Sequence, residues 1–409
     1  MSALPMVRAE DIPLARRVLA FGLILLGYIF YSYAWNTVDL LRPYIRQAAG
    51  LSLQEAGLLY SAQSLGALAG AVLIGQMADR FGRRLLLVII TLGYGLALLG
   101  GLIATTFFSL LLQRAVLGFF LGGVFSVAVG LYVTLFAQSI RGRLASVVGA
   151  MYGAGLVLQG SLGSWLLERD WTLMLWAGGV PPLLIAVIIW FVVPDDRRVT
   201  PYGGVIPAAP ASRLPVVELF RPEWRSITFK LIALSALSFF AYQAFAGWMT
   251  TYLKEERGLA GSAIGTLIAW QGIGGIVGGF FWGWIADRLG RRIGAIGFVL
   301  TAAMVVIFLR VPADAMLLTV LAFCFSFVLS AGVAWGVYFA ELYPAHLRST
   351  AASILHWGRI ISFFAPAVTA AIAAAVGLGV GMLLGALLYG VAALVWWRLP
   401  ETLAKRQPA

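Results

Sequence analysis

Few residues in this chain of 409 could do chemistry, and their scarcity directs the reading. There are two histidines, one cysteine and 17 acids. A lone cysteine, Cys324, sits inside an apolar run, so it forms no internal disulfide and no thiolate cluster; two histidines offer little to a metal. What remains is a handful of ionisable groups embedded in apolar stretches: Asp39, Arg114 and Arg359. A charge at membrane depth costs roughly 2.5–3.5 kcal/mol on insertion scales, so each is expected to face a partner or a wet cavity. Tyr28, Tyr31, Trp35, Asp39 and Arg42 recur at steps of three, four, four and three, which places them on one helical stripe. An aromatic and polar stripe ending in a carboxylate suits a cavity walled by Tyr31 and Trp35. The same spacing also allows Asp39 simply to be solvated, or to pair with Arg42, at its helix end.

Arg114 lies at a depth similar to Asp39 in another run, so a pair between the two is geometrically open. Protonating Asp39 would free Arg114 and shift the balance between two conformations. Arg359 is near the middle of its run; its permanent charge and forked donors suit a carboxylate, which makes it the expected anchor of an anionic substrate. His356, three residues earlier on the same face, could pass a proton near neutral pH. Gln159, Gln243 and Gln271 lie well inside their runs as directional amide contacts, and Trp357 could stack on a ring.

The elements that must position these groups are long and apolar. The chain is 61% hydrophobic and 11% charged, with a mean hydropathy of +0.93, far from a soluble domain. Twelve apolar runs are predicted at 18–41, 55–77, 85–104, 108–136, 143–166, 172–193, 228–252, 262–284, 293–310, 315–340, 349–374 and 377–398. Each suffices to cross about 30 Å of hydrocarbon as a helix, where every backbone amide must be satisfied without water. The turn near Val376–Gly379 is the least marked, because no charge flags it. The net charge of +12 comes from Lys and Arg crowded into the connections on one side. That asymmetry places both termini in the cytoplasm and accounts for the basic balance without nucleic acid. The proline-rich stretch 194–227 reads as a cytoplasmic linker between halves 1–193 and 228–409, six runs each.

The halves repeat. Gly75–Arg84 reads GQMADRFGRR and Gly283–Arg292 reads GWIADRLGRR, seven identities in ten at an offset of 208. Asp79, Arg80, Arg83 and Arg84, with Asp287, Arg288, Arg291 and Arg292, thus form matched turns. The carboxylates can accept hydrogen bonds from neighbouring helix ends and the arginines can pair with acids or headgroups.

These turns resemble the signature of the major facilitator superfamily of secondary transporters, and the resemblance spans nearly the whole chain. RAVLGFFLGG from Arg114 to Gly123 is similar to the family's fourth helix. ELYPAHLR from Glu341 to Arg348 is similar to the end of its tenth, and Pro400-Glu401-Thr402 to its last. In AQSIRGR, Ala137 to Arg143, Gln138 stands where an acid is usual, so the first half lacks a charge clamp. Asn36-Thr37-Val38-Asp39, Arg114 with its glycines, Trp248 to Leu253, and Gly358-Arg359 followed by Pro366 resemble the aromatic acid:proton symporter branch. Asn36 replaces one of that branch's acids, which puts more weight on Asp39. A drug exporter's glycine–proline pattern is absent from Gly149 to Gly163.

The resemblance implies an all-α membrane protein, with twelve transmembrane helices in two pseudo-symmetric six-helix bundles, the major facilitator fold. It implies proton-coupled symport of a small organic anion, an aromatic carboxylate, by alternating access in the inner membrane. The proton is the coupling ion and no cofactor is expected. The bilayer and the substrate are the expected partners of a monomer, without nucleic acid. A sugar acid or monocarboxylate substrate, or a uniporter or exporter on the same fold, are the alternatives. No nucleophile–base pair or phosphate loop suggests an enzyme.

Overall fold

The computed structural model describes residues 6–204, 215–344 and 347–403; the side chains of Arg348 and His356 lie outside that description. Among the described residues, twelve helices are long and apolar enough to cross a membrane. In chain order they are α1 (Leu14–Leu40), α2 (Leu53–Phe81), α3 (Arg83–Leu99), α4 (Phe107–Leu135), α5 (Gln138–Leu166), α6 (Leu173–Val192), α7 (Arg225–Thr251), α8 (Gly261–Leu289), α9 (Gly294–Arg310), α10 (Ala315–Glu341), α11 (Arg359–Val376) and α12 (Leu378–Trp397). Each predicted run has its helix, with ends shifted by a few residues except in the eleventh, whose crossing helix starts ten residues later, at Arg359. The unmarked turn between α11 and α12 falls at Gly377, which reaches the left-handed region at φ 89°. The Glu256 carboxylate accepts the freed backbone N–H groups of Leu378 at 2.8 Å and Gly379 at 3.3 Å. The turn therefore needs no charge of its own.

The chain divides into two compact units: the described residues of Met1–Leu51 with Leu59–Ala209, and of Ser52–Leu58 with Pro210–Ala409. Packing repeats between them. In the first unit α1 packs on α5 and α6, and α3 on α6; in the second, α7 packs on α11 and α12, and α9 on α12. Small residues bring α2 against α4. A Cβ added at Gly66 or Gly70 would collide with the carbonyls of Ala115 and Phe119, and one at Gly118 or Gly122 with those of Gln63 and Ala67. Gly274 and Gly278 do the same on α8, against Phe323 and Phe327 of α10. Without a hydrophobic drive between helices in lipid, this backbone approach supplies the packing.

One expectation changes. The eleventh run, 349–374, is not one helix. Arg348–Trp357 and Arg359–Ser362 are separate helical pieces, followed by Ala365–Val376. Pro366 cannot donate within the helix and crowds the carbonyl four residues before it, which breaks the run there. The described ends of the stretch 194–227 are each fastened to a unit. Val199–Thr200 pairs in parallel with Val7–Arg8, and the Gly203 N–H donates to Glu10 at 2.7 Å, which fastens the segment to the first unit. At its other end the Thr228 hydroxyl donates to the Leu219 carbonyl at 2.6 Å, inside the second unit.

Candidate functional site

The chemistry of the first unit gathers at the end of α1. Tyr28, Tyr31 and Trp35 form the expected stripe, with ring centroids 4.9 Å and 6.1 Å apart in succession. Tyr152 of α5 closes on Tyr31 at 6.5 Å and exchanges hydrogen bonds with Asn36 at 3.2 and 3.3 Å. Asn36 therefore ties α1 to α5. Gln159 donates to the Tyr33 carbonyl at 3.0 Å, and Gln63 to the Trp35 carbonyl at 2.9 Å, so α5 and α2 both grip α1 by its backbone. The oxygens of both amides are buried and have no hydrogen-bond partner among the described residues.

Of the pairings the spacing left open for Asp39, the one with Arg42 is made. The Asp39 carboxylate closes on Arg42, with Arg42 Nη2 at 2.7 Å from Oδ1. The reason is local: α1 stops at Leu40, Leu41 keeps a helical turn, and Arg42, three residues on, returns over Asp39. Arg42 is fully buried by this fold-back. Arg114 is 1% exposed, and its Nε and Nη1 have no partner among the described residues. Asp39 and Arg42 both lie close enough to act on it electrostatically. The side chain is fixed by how α4 begins and where it packs. Thr106 and Ser109 form a reciprocal capping box that starts the helix. Gly118, one turn beyond Arg114, presses that face onto Gln63.

In the second unit, Gly358 lets the start of α11 touch Ser235 and Ala236 of α7, and Arg359 follows with its guanidinium 4.8 Å from the centroid of Phe239. Gln243 and Gln271 are buried, the first with an oxygen lacking a partner among the described residues. Trp357 stacks on Phe220 at 6.3 Å, so its ring packs on the segment preceding α7. His356 falls outside the described side chains, as does Arg348.

The duplicated turns are built alike. Gly82 at φ 94° and Gly290 at φ 101° make the reversal, which a side chain would strain. The next helix then starts with two orphan N–H groups. Asp196 accepts those of Arg83 and Arg84 at 2.9 and 3.0 Å; Glu401 accepts those of Arg291 and Arg292 at 2.9 and 3.0 Å. Burial alone would raise the Glu401 carboxyl, but these N–H groups and those of Leu403 and Thr402 hold it below the usual carboxylate range. Arg84 lies over the Trp190 ring at 4.8 Å and Arg292 over Trp397 at 5.3 Å. Arg80 and Arg288 rest on Phe81 and Trp284. Asp196 and Glu401 were missed as functional residues by motif reading. Their shared signal is an acid just after a proline at the end of the sixth and twelfth helices, Pro194-Asp195-Asp196 and Pro400-Glu401.

The turns differ in one arginine. Arg291 meets Asp287 at 2.7 Å and holds Glu341 by two bonds of 3.2 Å. Arg83 has Asp79 at 3.3 Å and lies over Gly130 of α4. The missing acid belongs one turn beyond Gly130, at Thr134, rather than at Gln138. Thr134 precedes Arg141 by the same seven residues that separate Glu341 from Arg348, whereas Gln138 opens α5 and is exposed.

The family model described as Major Facilitator Superfamily matches residues 24–353 and 231–409. A gallate transporter of Pseudomonas putida is 26% identical over 383 residues, covering 87% of this chain and 84% of that one. A 4-hydroxybenzoate transporter of Acinetobacter baylyi is 25% identical over 380 residues, covering 83% and 81%. Among solved structures, a bacterial homolog of the human lysosomal transporter Spinster superposes with a TM-score of 0.78 at 16% identity, covering 94% of this chain and 97% of that one. The chain belongs to the Major Facilitator Superfamily, as a multi-pass membrane transporter and not an enzyme.

Proposed function

We propose that this transporter carries a small organic anion, an aromatic carboxylate, together with a proton, by alternating access in the inner membrane with both termini cytoplasmic. The observation that carries the reading is the cluster of Asp39, Arg42 and Arg114, buried beside an aromatic stripe in an apolar bundle. Charge at that depth is retained for a purpose. Asp39, the titratable member, is the proton-sensitive element, and Arg114 feels its charge. Arg359 in the second unit is the anchor for the substrate's carboxylate. The two matched turns hold the helix ends through which movement passes, and the relatives named for gallate and 4-hydroxybenzoate supply the substrate class.

The test is uptake of 4-hydroxybenzoate and gallate into proteoliposomes under an imposed pH gradient, inside alkaline. Accumulation above equilibrium in the wild type, lost in Asp39→Asn and in Arg359→Ala, supports the reading. Accumulation without a gradient, or full accumulation in Asp39→Asn, rejects the coupling. Unchanged uptake in Arg359→Ala rejects the anchor.

A further inference from the structure

In the second unit, α8 and α10 touch along one stretch and part along another. Gly274 and Gly278 press on the carbonyls of Phe323 and Phe327. Toward the starts of both helices a cavity of about 660 Å³ opens between them. Trp270 and Phe323 lie at its end nearest the seam, edge to face with ring centroids 6.2 Å apart. Thr266 on α8, with Ala315, Met316 and Thr319 on α10, forms its sides. One flank is open, for Trp270 is 47% exposed and Met316 79%.

The fold does not demand this gap. The same glycine seam stands 208 residues earlier, as Gly66 and Gly70 against Ala115 and Phe119. At that offset Leu58, Phe107 and Leu111 occupy the positions of Thr266, Ala315 and Thr319, while Ala62 and Ala115 occupy those of Trp270 and Phe323. In the second half, bulk has left the helix starts and gathered at the seam end.

The lining decides what can enter. None of the described lining residues is charged. Thr266 donates to the Ser262 carbonyl at 2.9 Å and Thr319 to that of Ala315 at 2.7 Å, so both hydroxyl protons are spent on their own helices. A carboxylate would shed its water there without a partner, whereas an apolar group regains the dispersion contacts that an open wedge forfeits. From Ser262 to Trp270 the groove runs about 12 Å along α8, against about 15 Å for the hydrocarbon of one leaflet. Arg310 and Asp314, both exposed, come just before Ala315 in the chain and set the mouth near headgroup level.

We propose that this groove holds one acyl chain of a bilayer phospholipid, lying lengthwise between α8 and α10 with its far portion against Trp270 and Phe323. The site is separate from transport of the anion and independent of which anion is carried. Recognition is of the chain, through shape and aromatic surface, and not of the headgroup.

The experiment uses the purified full chain in detergent. Native mass spectrometry counts retained phospholipid, and thermal unfolding is followed with added dioleoyl phosphatidylcholine or with glycerophosphocholine, the same headgroup without chains. A filled variant, Thr266→Leu with Ala315→Phe and Thr319→Leu, takes the side chains of the matching positions in the first half. Wild type should keep one phospholipid after washing that strips the filled variant bare. The phospholipid should raise the unfolding temperature of wild type and not of the filled variant, and glycerophosphocholine should raise neither. Trp270→Ala should raise the phospholipid concentration for half the effect by about tenfold, the weight of one aromatic wall.

Equal retention by wild type and the filled variant overturns the proposal, as does a wild type that keeps no phospholipid and does not respond to it. Protection by glycerophosphocholine overturns it too, since a headgroup would then suffice. Should the filled variant not fold, Trp270→Ala decides alone: an unchanged half-effect concentration rejects the groove as the site.

Discussion

Arg83 and Arg291 occupy matching positions in turns that differ by three residues in ten, yet one is buried among acids and the other is half in solvent. Arg291 has 4% of its side chain exposed, with Asp287 and Glu341 on it and Thr402 donating to Glu341 at 2.6 Å. Arg83 has 36% exposed and, among the described residues, a single acid on its guanidinium, itself 74% exposed. The difference traces to one position on a neighbouring helix, Glu341 against Thr134, not to the turns. A repeated motif thus specifies the backbone reversal and its cap, while the strength of the ion cluster is set elsewhere in the chain.

The comparison breaks most sharply at Arg291. Arg291→Ala should cost about 2–3 kcal/mol, because Glu341 loses its two-bond partner inside partly dry surroundings; unfolding in detergent reads this. Next come the carboxylates both turns share. Asp196→Ala and Glu401→Ala should each cost about 1–2 kcal/mol by exposing two helix-start N–H groups, and similar losses in the two halves would show that the cap is common to both. Glu401 also predicts a pH dependence. Its carboxyl is held low in the folded chain, so the stability it contributes is full above its unfolded value and is lost as pH falls through the folded one. Unfolding temperature measured across the acid range should therefore fall more steeply in wild type than in Glu401→Gln. Installing the missing acid, Thr134→Glu, should stabilise the first unit by about 1 kcal/mol, and only while Arg83 is present. Arg83→Ala alone should change stability by less than about 0.5 kcal/mol, as for an exposed pair.

Much of this architecture is legible in the sequence for a physical reason. Lipid admits only satisfied backbones, so run length nearly dictates the helices, and α1 to α12 follow. Glycines at 66, 70, 118 and 122 do not announce their partners, because close approach depends on which faces meet. The stripe from Tyr28 to Arg42 is readable from helical period alone. Which cation takes Asp39 is not, because the answer depends on α1 ending at Leu40. The break at 363–364 has its cause in Pro366, visible in sequence but ambiguous, since membrane helices often tolerate proline. Asp196 and Glu401 escaped because each caps a helix more than 100 residues away.

The glycine seams have a mechanical corollary. Where α2 meets α4, and α8 meets α10, no side chain stands between the backbones to act as a bearing. Sliding either helix by one residue would drive a neighbouring Cβ into a carbonyl. Each pair is therefore a single strut, able to tilt but not to shear, and whatever deformation a transport cycle demands must be borne by the interrupted helices: α4 beyond Gly123, the π-helical end of α7 at Tyr252–Glu256, and α11 around Pro366.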